Sequence, residues 1–540
     1  MLKKLLPLLL VLSILCTLSV GFAEGTSEKS LAEIAQMGTK IQRVTDEPVT
    51  LTMWMDISSH DVSNIIGDLQ TNMDILKALE ERTGVHIELM LAPVGEAETS
   101  FSLMLASGKY ADIIIGFDNY YAKGGDAAIE EGIIYDLKDL VAQYAPNYEA
   151  ARTASTYRAL GTVTDDGKMP YFCQPTYQDD PGLTYGGTII RQDLLDKLGL
   201  AMPVTFDDWH TFLARCKEEL GMTRGLGLAY TGISKYNAFN AAFGFMMQNP
   251  ADAAPAVYQV DGTVLYGPLT QGYKDYVTLM AQWYAEGLID PDFTSTITFD
   301  DGIAMISSDL CAATSEHGGV IGYANMLGSA VNPDFTFAVA PDPVLSAGDA
   351  LHVGYMKGGA GLGKIAAIST ACENPEVAVK FLDQLYTDEG FMLCNYGTEG
   401  KTYTLDAEGL PVYTDLIANN PAGTVTDMLC AYAAPIIWPF TMVLGRDDVS
   451  TSADMAAIWD TNNDYSYSFP TAVTLNADEK EIYSDLYPEI KSYVEEMTVM
   501  FIMGLEPMEN FDNFLATLDS LGVQDVIAAY QSAYDRYISR

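Results

Sequence analysis

The strongest constraint on this chain is an alternation of short apolar runs and helical stripes that begins at Val49. Val49-Thr50-Leu51-Thr52-Met53-Trp54-Met55 alternates with a period of two, as a strand does. Met73 to Arg82 follows with Ile75, Leu76 and Leu79 on one helical face, and Gly84 stands where a left-handed residue ends a helix. Val85-His86-Ile87-Glu88-Leu89 predicts a second strand. A helix through Phe101, Met104 and Leu105 should close at Ser107-Gly108. Ile113-Ile114-Ile115 is apolar throughout, like a strand covered on both faces. Strand, helix, strand, helix, strand implies a parallel sheet with crossover helices, hence an α/β fold.

The pattern continues further along. Thr205-Phe206-Asp207-Asp208 reads as a capping box opening a helix whose Trp209, Phe212 and Leu213 face a core. Trp283 falls on another such stripe. Asn374-Pro375 predicts a helix with Asn as its cap and Pro at its first position. Residues 479–503 and 511–538 read as helices, so the C-terminal third is helical. No internal repeat and no long Pro/Gly/Ser linker divides the chain.

The first residues are of another kind. Two lysines precede an apolar run of 18 residues from Leu5 to Phe22, the layout of a secretory signal. Gly21-Phe22-Ala23 predicts cleavage before Glu24. The competing reading is a retained membrane anchor, since the run is near the lower length for a spanning helix. Lipid attachment at Cys16 is a third, disfavoured because Leu15 is large where such signals carry a small residue. The protein is therefore expected outside the cytoplasm, extracellular or at the cell surface, and in the anchored readings tethered through its N-terminus.

A formal net charge of −44 argues against nucleic acid as a partner and against a polyanionic cargo, unless a cleft holds a local basic cluster. The cysteines beyond the leader (Cys173, Cys216, Cys311, Cys372, Cys394 and Cys430) form no C-x-x-C pair, and most are expected as buried thiols, one or two bridges remaining open.

Catalytic and cofactor signatures are weak. Gly358 to Lys364 fits G-x-x-x-x-G-K, but Ile365 offers no hydroxyl to magnesium and the next residues read as a strand rather than a helix. The five histidines have no metal-ligand spacing. His86 and His210 read as structural, whereas His317, in a loop, can reach a ligand. Asp460-Thr461-Asn462-Asn463-Asp464 has calcium-type oxygens without the EF-hand glycine or spacing. No catalytic residue, metal or cofactor is assigned.

Aromatic residues carry more information. The 32 tyrosines and 5 tryptophans present flat apolar faces beside polar tips, which suit the apolar C–H faces of sugar rings. Trp54, Tyr120, Tyr121, Tyr177, Tyr185, Tyr236 and Trp438 fall where strands end or loops begin. That is where parallel sheets bind ligands. Core packing is the competing explanation for each.

Several blocks together resemble one family. Met104-Leu105-Ala106-Ser107-Gly108-Lys109-Tyr110-Ala111-Asp112, Glu131-Gly132-Ile133 through Leu137, and Tyr144-Ala145-Pro146-Asn147 are similar to consecutive segments of the extracellular solute-binding proteins of family 1. So are Arg191-Gln192-Asp193-Leu194-Leu195-Asp196-Lys197-Leu198-Gly199 with Pro203-Val204-Thr205, Tyr284 to Phe293, and Asn374 to Gly390 with Tyr396 to Gly400. Ala533 to Tyr537 resembles the close of the large LplA-like branch of Firmicutes. Leu194 departs from the tryptophan usual in that branch, at a position read as packing.

The resemblance implies a two-lobed periplasmic-binding-protein-like (type II) fold, each lobe a mixed, mostly parallel sheet flanked by helices, with a helix-rich C-terminal part. Residues 1–23 are read from their own pattern as a signal peptide and 24–47, polar and short of aromatics, as a flexible lead-in; the two lobes are then 48–173 with 341–388, N-terminal, and 174–340 with 389–540, C-terminal. Crossings are placed near Phe172–Tyr185, Thr336–Pro341 and Asp388–Tyr396. The implied role is a monomeric, non-enzymatic receptor of an ABC importer. It captures a small-molecule ligand, an oligosaccharide, for the transmembrane permease subunits. The ligand-binding candidates are Trp54, Asp118, Asn119, Tyr120, Tyr177, Tyr185, Tyr236, Glu316, His317 and Trp438. The alternatives are a peptide or amino-acid receptor of the same fold and a secreted polysaccharide-active enzyme.

Overall fold

A computed structural model describes residues 29–57, 62–121, 123–177, 184, 186–247, 256–296, 299–353, 363–443, 446, 453–470 and 473–540. The leader with Cys16, Tyr185 and Gly358 to Leu362 lie outside the described residues.

The predicted opening alternation forms the first sheet. β1 (Val49–Met55) pairs in parallel with β2 (Val85–Leu91) and with β3 (Ile113–Ile115). The sheet is not all parallel, because β11 (Gly363–Ile368) runs antiparallel between β3 and β4 (Phe172–Gln174). A second sheet has the order β10 (Phe337–Val339), β5 (Gly186–Arg191), β9 (Cys311–His317), β6 (Arg224–Leu226), with only β6 and β9 parallel. Two hairpins complete the strands among the described residues: β7 (Val257–Val260) with β8 (Thr263–Tyr266), and β12 (Tyr403–Leu405) with β13 (Pro411–Tyr413).

Each sheet is the centre of its own core. Leu51, Met53, Ile113, Phe172 and Ile368 pack with Leu382 and Cys394 in one. Ile190, Leu226 and Ala313 pack with Trp209, Trp283 and Tyr273 in the other. This makes two α/β lobes.

Strand direction fixes where the lobes meet. The carboxyl ends of β1 to β4 and the start of β11 share one edge of the first sheet. The start of β5 and the carboxyl ends of β6, β9 and β10 share one edge of the second. The chain passes from β4 to β5 and from β10 to β11, so both passages join these two edges, here called the rims. A third passage begins beside the first, where Met442 N donates to Pro175 O (2.8 Å), and ends where Trp459 Nε1 donates to Thr188 O (2.9 Å).

Two lobe boundaries differ from expectation. Residues after Val339 stay with the second lobe: Ala340 N donates to Thr188 O, and Val344 and Leu351 are in its core. The segment from Glu389 to Met442 stays with the first, because Leu393, Cys394, Cys430, Trp438 and Phe440 pack into that core. The lead-in, expected to be flexible, is fastened from Lys29 onward. Ser30 caps the helix Leu31–Ala35, Thr39 N donates to Asp388 Oδ2 (2.9 Å), and Ile41 N donates to Glu389 Oε2 (3.0 Å).

Local signals mostly resolve as the residues dictate. The helix Asp74–Thr83 ends at Gly84, whose φ of +80° a side chain would resist. Thr205 and Asp208 form the reciprocal capping box. Asn374 makes no side-chain cap, although Pro375 does open its helix. The stretch 511–538 is two helices, Phe511–Ser520 and Val523–Ile538, broken at Gly522 with φ +86°. The six described cysteines are buried free thiols, and burial pushes Cys394 up to about 12.

Candidate functional site at the two rims

The first rim is built on aromatic packing. β3 ends at Ile115, Gly116 turns the chain with φ +70°, and the short helix Phe117–Tyr120 sets Asp118, Asn119 and Tyr120 beside the end of β1. Trp54, 2% exposed, lies edge-on to Tyr120 and Phe101 with centroids 5.4 and 5.6 Å away, and its Nε1 donates to Ser100 Oγ (3.2 Å). The Tyr120 hydroxyl donates to Asp56 Oδ2 (3.1 Å), and the Tyr171 hydroxyl donates to Asp118 Oδ1 (2.9 Å). Burial, with Asp56 beside it, pushes the Tyr120 phenol up to about 12, so it remains a donor at neutral pH. A cavity of about 340 Å³ opens here, lined by Asp56, Gly95, Glu96, Ala97, Glu98 and Thr99.

The second rim is built on charge and close backbone packing. β9 ends in Glu316-His317, which lie opposite Gly187 and Gly186 of β5. Glu316 is 5% exposed and forms an ion pair with Lys235. Burial raises the Glu316 pKa, and the Lys235 ammonium opposes that rise. The next residue, Tyr236, sits at φ +59°, in the left-handed region that a side chain occupies at a cost of about 1–3 kcal/mol. Gly186 explains how its ring fits: a Cβ there would lie 2.8 Å from the Tyr236 ring carbons. Gly187 does the same for the buried ring of Trp459, with 2.5 Å to a hypothetical Cβ. Beneath, Asp342 Oδ1 accepts from the Thr188 amide (2.9 Å) and hydroxyl (2.7 Å). Burial, with Asp460 nearby, still pushes the Asp342 carboxyl up to about 7.

The candidate residues therefore separate. Asp118, Asn119 and Tyr120 stand at the first rim; Tyr236, Glu316 and His317 stand at the second. Trp54 lies beneath the first rim, as the floor under Tyr120, and is not an open stacking face. Trp438 is fully buried in the first core, where its Nε1 donates to Met55 Sδ (3.4 Å), and it is corrected to a packing residue. Tyr177 is likewise turned away: its ring packs edge-on to Phe391 (5.5 Å), and its hydroxyl donates to Lys29 O (2.8 Å). Tyr185 lies outside the described residues.

Sequence reasoning missed Asp56, Tyr171 and Lys235. Asp56 was findable, one residue beyond the predicted first strand. Lys235 was not, since its partner is 81 positions away. The calcium-like run 460–464 has protein donors on its carboxylates: Thr184 and Tyr465 bond Asp460, and His352 and Ser466 bond Asp464. Among the described residues no group of three or more His, Cys, Asp or Glu is arranged to hold a metal ion.

Comparison with known proteins places this arrangement. Residues 67–390, more than half of the chain, match the family described as bacterial extracellular solute-binding protein. Lipoprotein LipO of Bacillus subtilis is 23% identical over 480 residues, covering 85% of this chain and 89% of LipO. The fructooligosaccharide ABC transporter substrate-binding protein FusA of Streptococcus pneumoniae is 22% identical over 490 residues, covering 86% of this chain and 87% of FusA. Among solved structures, an HMO binding ABC-transporter associated solute-binding protein from Bifidobacterium longum infantis superposes with a TM-score of 0.72 at 18% identity, over 91% of this chain and 99% of that one. The two-lobed fold and the family match agree: this chain belongs to the bacterial extracellular solute-binding proteins.

Proposed function

We propose that the protein captures an oligosaccharide between the two rims and delivers it to the membrane permease of an ABC importer. One observation carries this reading. Each rim offers a half-buried tyrosine beside carboxylates: Tyr120 with Asp56 and Asp118 on one lobe, Tyr236 with Glu316 on the other. A sugar ring needs both kinds of group. Its C–H face stacks on an aromatic ring, and its hydroxyls donate to carboxylate oxygens in charge-assisted hydrogen bonds. The sugar-binding descriptions of FusA and of the Bifidobacterium protein support the same class of cargo.

In this reading the three passages act as the hinge, and ligand selects the closed arrangement because only there do both rims touch it. No bond is made or broken. A glycosidase would need an accessible acid with a raised pKa facing a second carboxylate. Asp342 and Glu316 both have raised pKa values, but Asp342 is 2% exposed beneath Thr188, and Glu316 is 5% exposed and paired with Lys235. The protein acts outside the cytoplasm as a monomer, and its acidity keeps it from nucleic acid.

The test is a thermal-shift and calorimetric screen of the exported protein against oligosaccharides, short peptides and amino acids. An oligosaccharide that raises the melting temperature and is recovered intact is the expected result. Tyr120→Ala and Tyr236→Ala should each weaken it about tenfold. A shift with peptides alone, or cleavage of the sugar, sinks the reading.

A further inference from the structure

The rims carry information about the charge of the cargo. At the first rim the ionisable groups are acidic: Asp56, Glu96 and Glu98 on the cavity, and Asp118 beside it. Among the described residues, Lys123 near this rim bonds Glu131 at 2.6 Å and is exposed, Lys480 of the second lobe lies against Gly124, and Lys364 stands in β11 opposite Cys173. At the second rim the described cation is Lys235, and its ammonium is held by the buried Glu316 carboxylate. Among the described residues neither rim has a local basic cluster to offset the charge of −44.

We infer that the cleft takes oligosaccharides without acidic groups, and that the Lys235–Glu316 pair makes it exclude uronate-bearing chains. This rests on the oligosaccharide reading above. A sugar hydroxyl donates to a carboxylate and needs no counterion. A uronate brings a carboxylate that must lose water beside four others. Burial of a charge without a partner is strongly unfavourable, and a like charge at the site adds repulsion. Among the described residues Lys235 is the ammonium at the second rim that could receive that anion, and Glu316 already occupies it. The pair thus neutralises the cation while leaving Glu316 oxygens as acceptors for hydroxyls.

Calorimetry of the full exported protein tests this. The probes are neutral fructo-, xylo-, malto- and galacto-oligosaccharides, oligogalacturonate with oligoalginate, and short peptides. A neutral series should bind at least about a hundredfold tighter than either oligouronate. Tighter binding of an oligouronate overturns the charge argument and leaves the oligosaccharide reading standing. Binding of peptides alone, or of none of the sugars, removes the oligosaccharide reading, and this inference with it.

Glu316→Gln supplies the second arm. It frees Lys235 and removes an acceptor, so oligouronate affinity should rise about tenfold while neutral affinity falls. Both affinities falling together overturns the role given to the pair. Melting of the unliganded variant checks its fold. Asp118→Asn removes a negative charge at the other rim and should shift oligouronate binding in the same direction if Glu316→Gln does not fold.

Discussion

The two rims solve the same problem with different materials. At the first, phenols are bonded to carboxylates, Tyr120 to Asp56 and Tyr171 to Asp118, over a floor of packed rings. The result is a preorganised platform whose groups are already oriented before ligand arrives. At the second, a tyrosine in a left-handed conformation leans on a glycine, a buried glutamate is balanced by one lysine, and a carboxyl below sits near neutrality. Packing holds the first rim, and opposed unfavourable terms hold the second. Substitutions should therefore act differently on them: through volume at the first, and through charge and backbone at the second.

The largest effect should come from the core beneath the first rim. Trp438 is fully buried, with its carbonyl accepting from Gln174 Nε2 (2.7 Å). Trp438→Ala should destabilise the protein by about 3–5 kcal/mol in chemical denaturation. Ligand affinity of the folded fraction should hold. If affinity drops while stability holds, Trp438 belongs to the site and the division between platform and core is wrong.

Next is Asp342 under the second rim. Its folded pKa of about 7 lies above the ordinary carboxyl value, so between about pH 4 and 7 the native state holds a proton that the unfolded chain has released. The group's favourable contribution is complete below pH 4 and is lost as pH rises to 7. Asp342→Asn keeps an Oδ1 for Thr188 and removes that loss. Its advantage over the native protein should be near zero at pH 4 and grow to on the order of 4 kcal/mol by pH 8. A variant that is less stable at pH 8 would mean that the charged form is the one the fold prefers.

Gly186→Ala should be milder. The new methyl meets three ring carbons of Tyr236 at 2.8 Å, so the ring must move. Overpacking of this kind costs about 1–3 kcal/mol. Titration should find ligand affinity reduced, because the displaced ring is the one proposed to stack. Unchanged affinity would remove Tyr236 from the site.

Much of the fold was legible because local chemistry decides it. The run Val49 to Met55 allows only a strand, and Gly84 can end a helix where a side chain resists the turn. The chain from Glu389 to Met442 was misassigned because buried residues such as Leu393 and Cys394 announce a covered face without saying which sheet they cover. The site was half legible for a related reason. Asp118, Asn119 and Tyr120 follow directly from a strand end and a glycine turn. Trp438 and Tyr236 look alike to sequence, each an aromatic in irregular chain, and only the packing around them separates a core ring from a rim ring. Lys235 and Glu316 are joined across 81 positions, beyond any local signal.

The smallest effect concerns a charged contact that joins the two lobes. Asp165 belongs to the first lobe, next to Val163, which packs on that core. Its carboxylate accepts from Arg536 Nε (2.6 Å), on the last helix of the second lobe, and from Arg540 Nη1 (2.9 Å), just beyond that helix. Arg536 also grips Glu479 of its own lobe, so that pairing survives loss of Asp165. The Asp165 contacts are partly exposed, so Asp165→Asn should cost only about 0.5–1 kcal/mol of interlobe contact. An energy near 1 kcal/mol changes an open-to-closed ratio about fivefold. X-ray scattering at low salt should therefore show the unliganded variant more open than the native protein, with the difference shrinking as salt is raised. If the two scatter alike at every salt concentration, the charged contact does not bias the lobes, and the hinge passages alone set their arrangement.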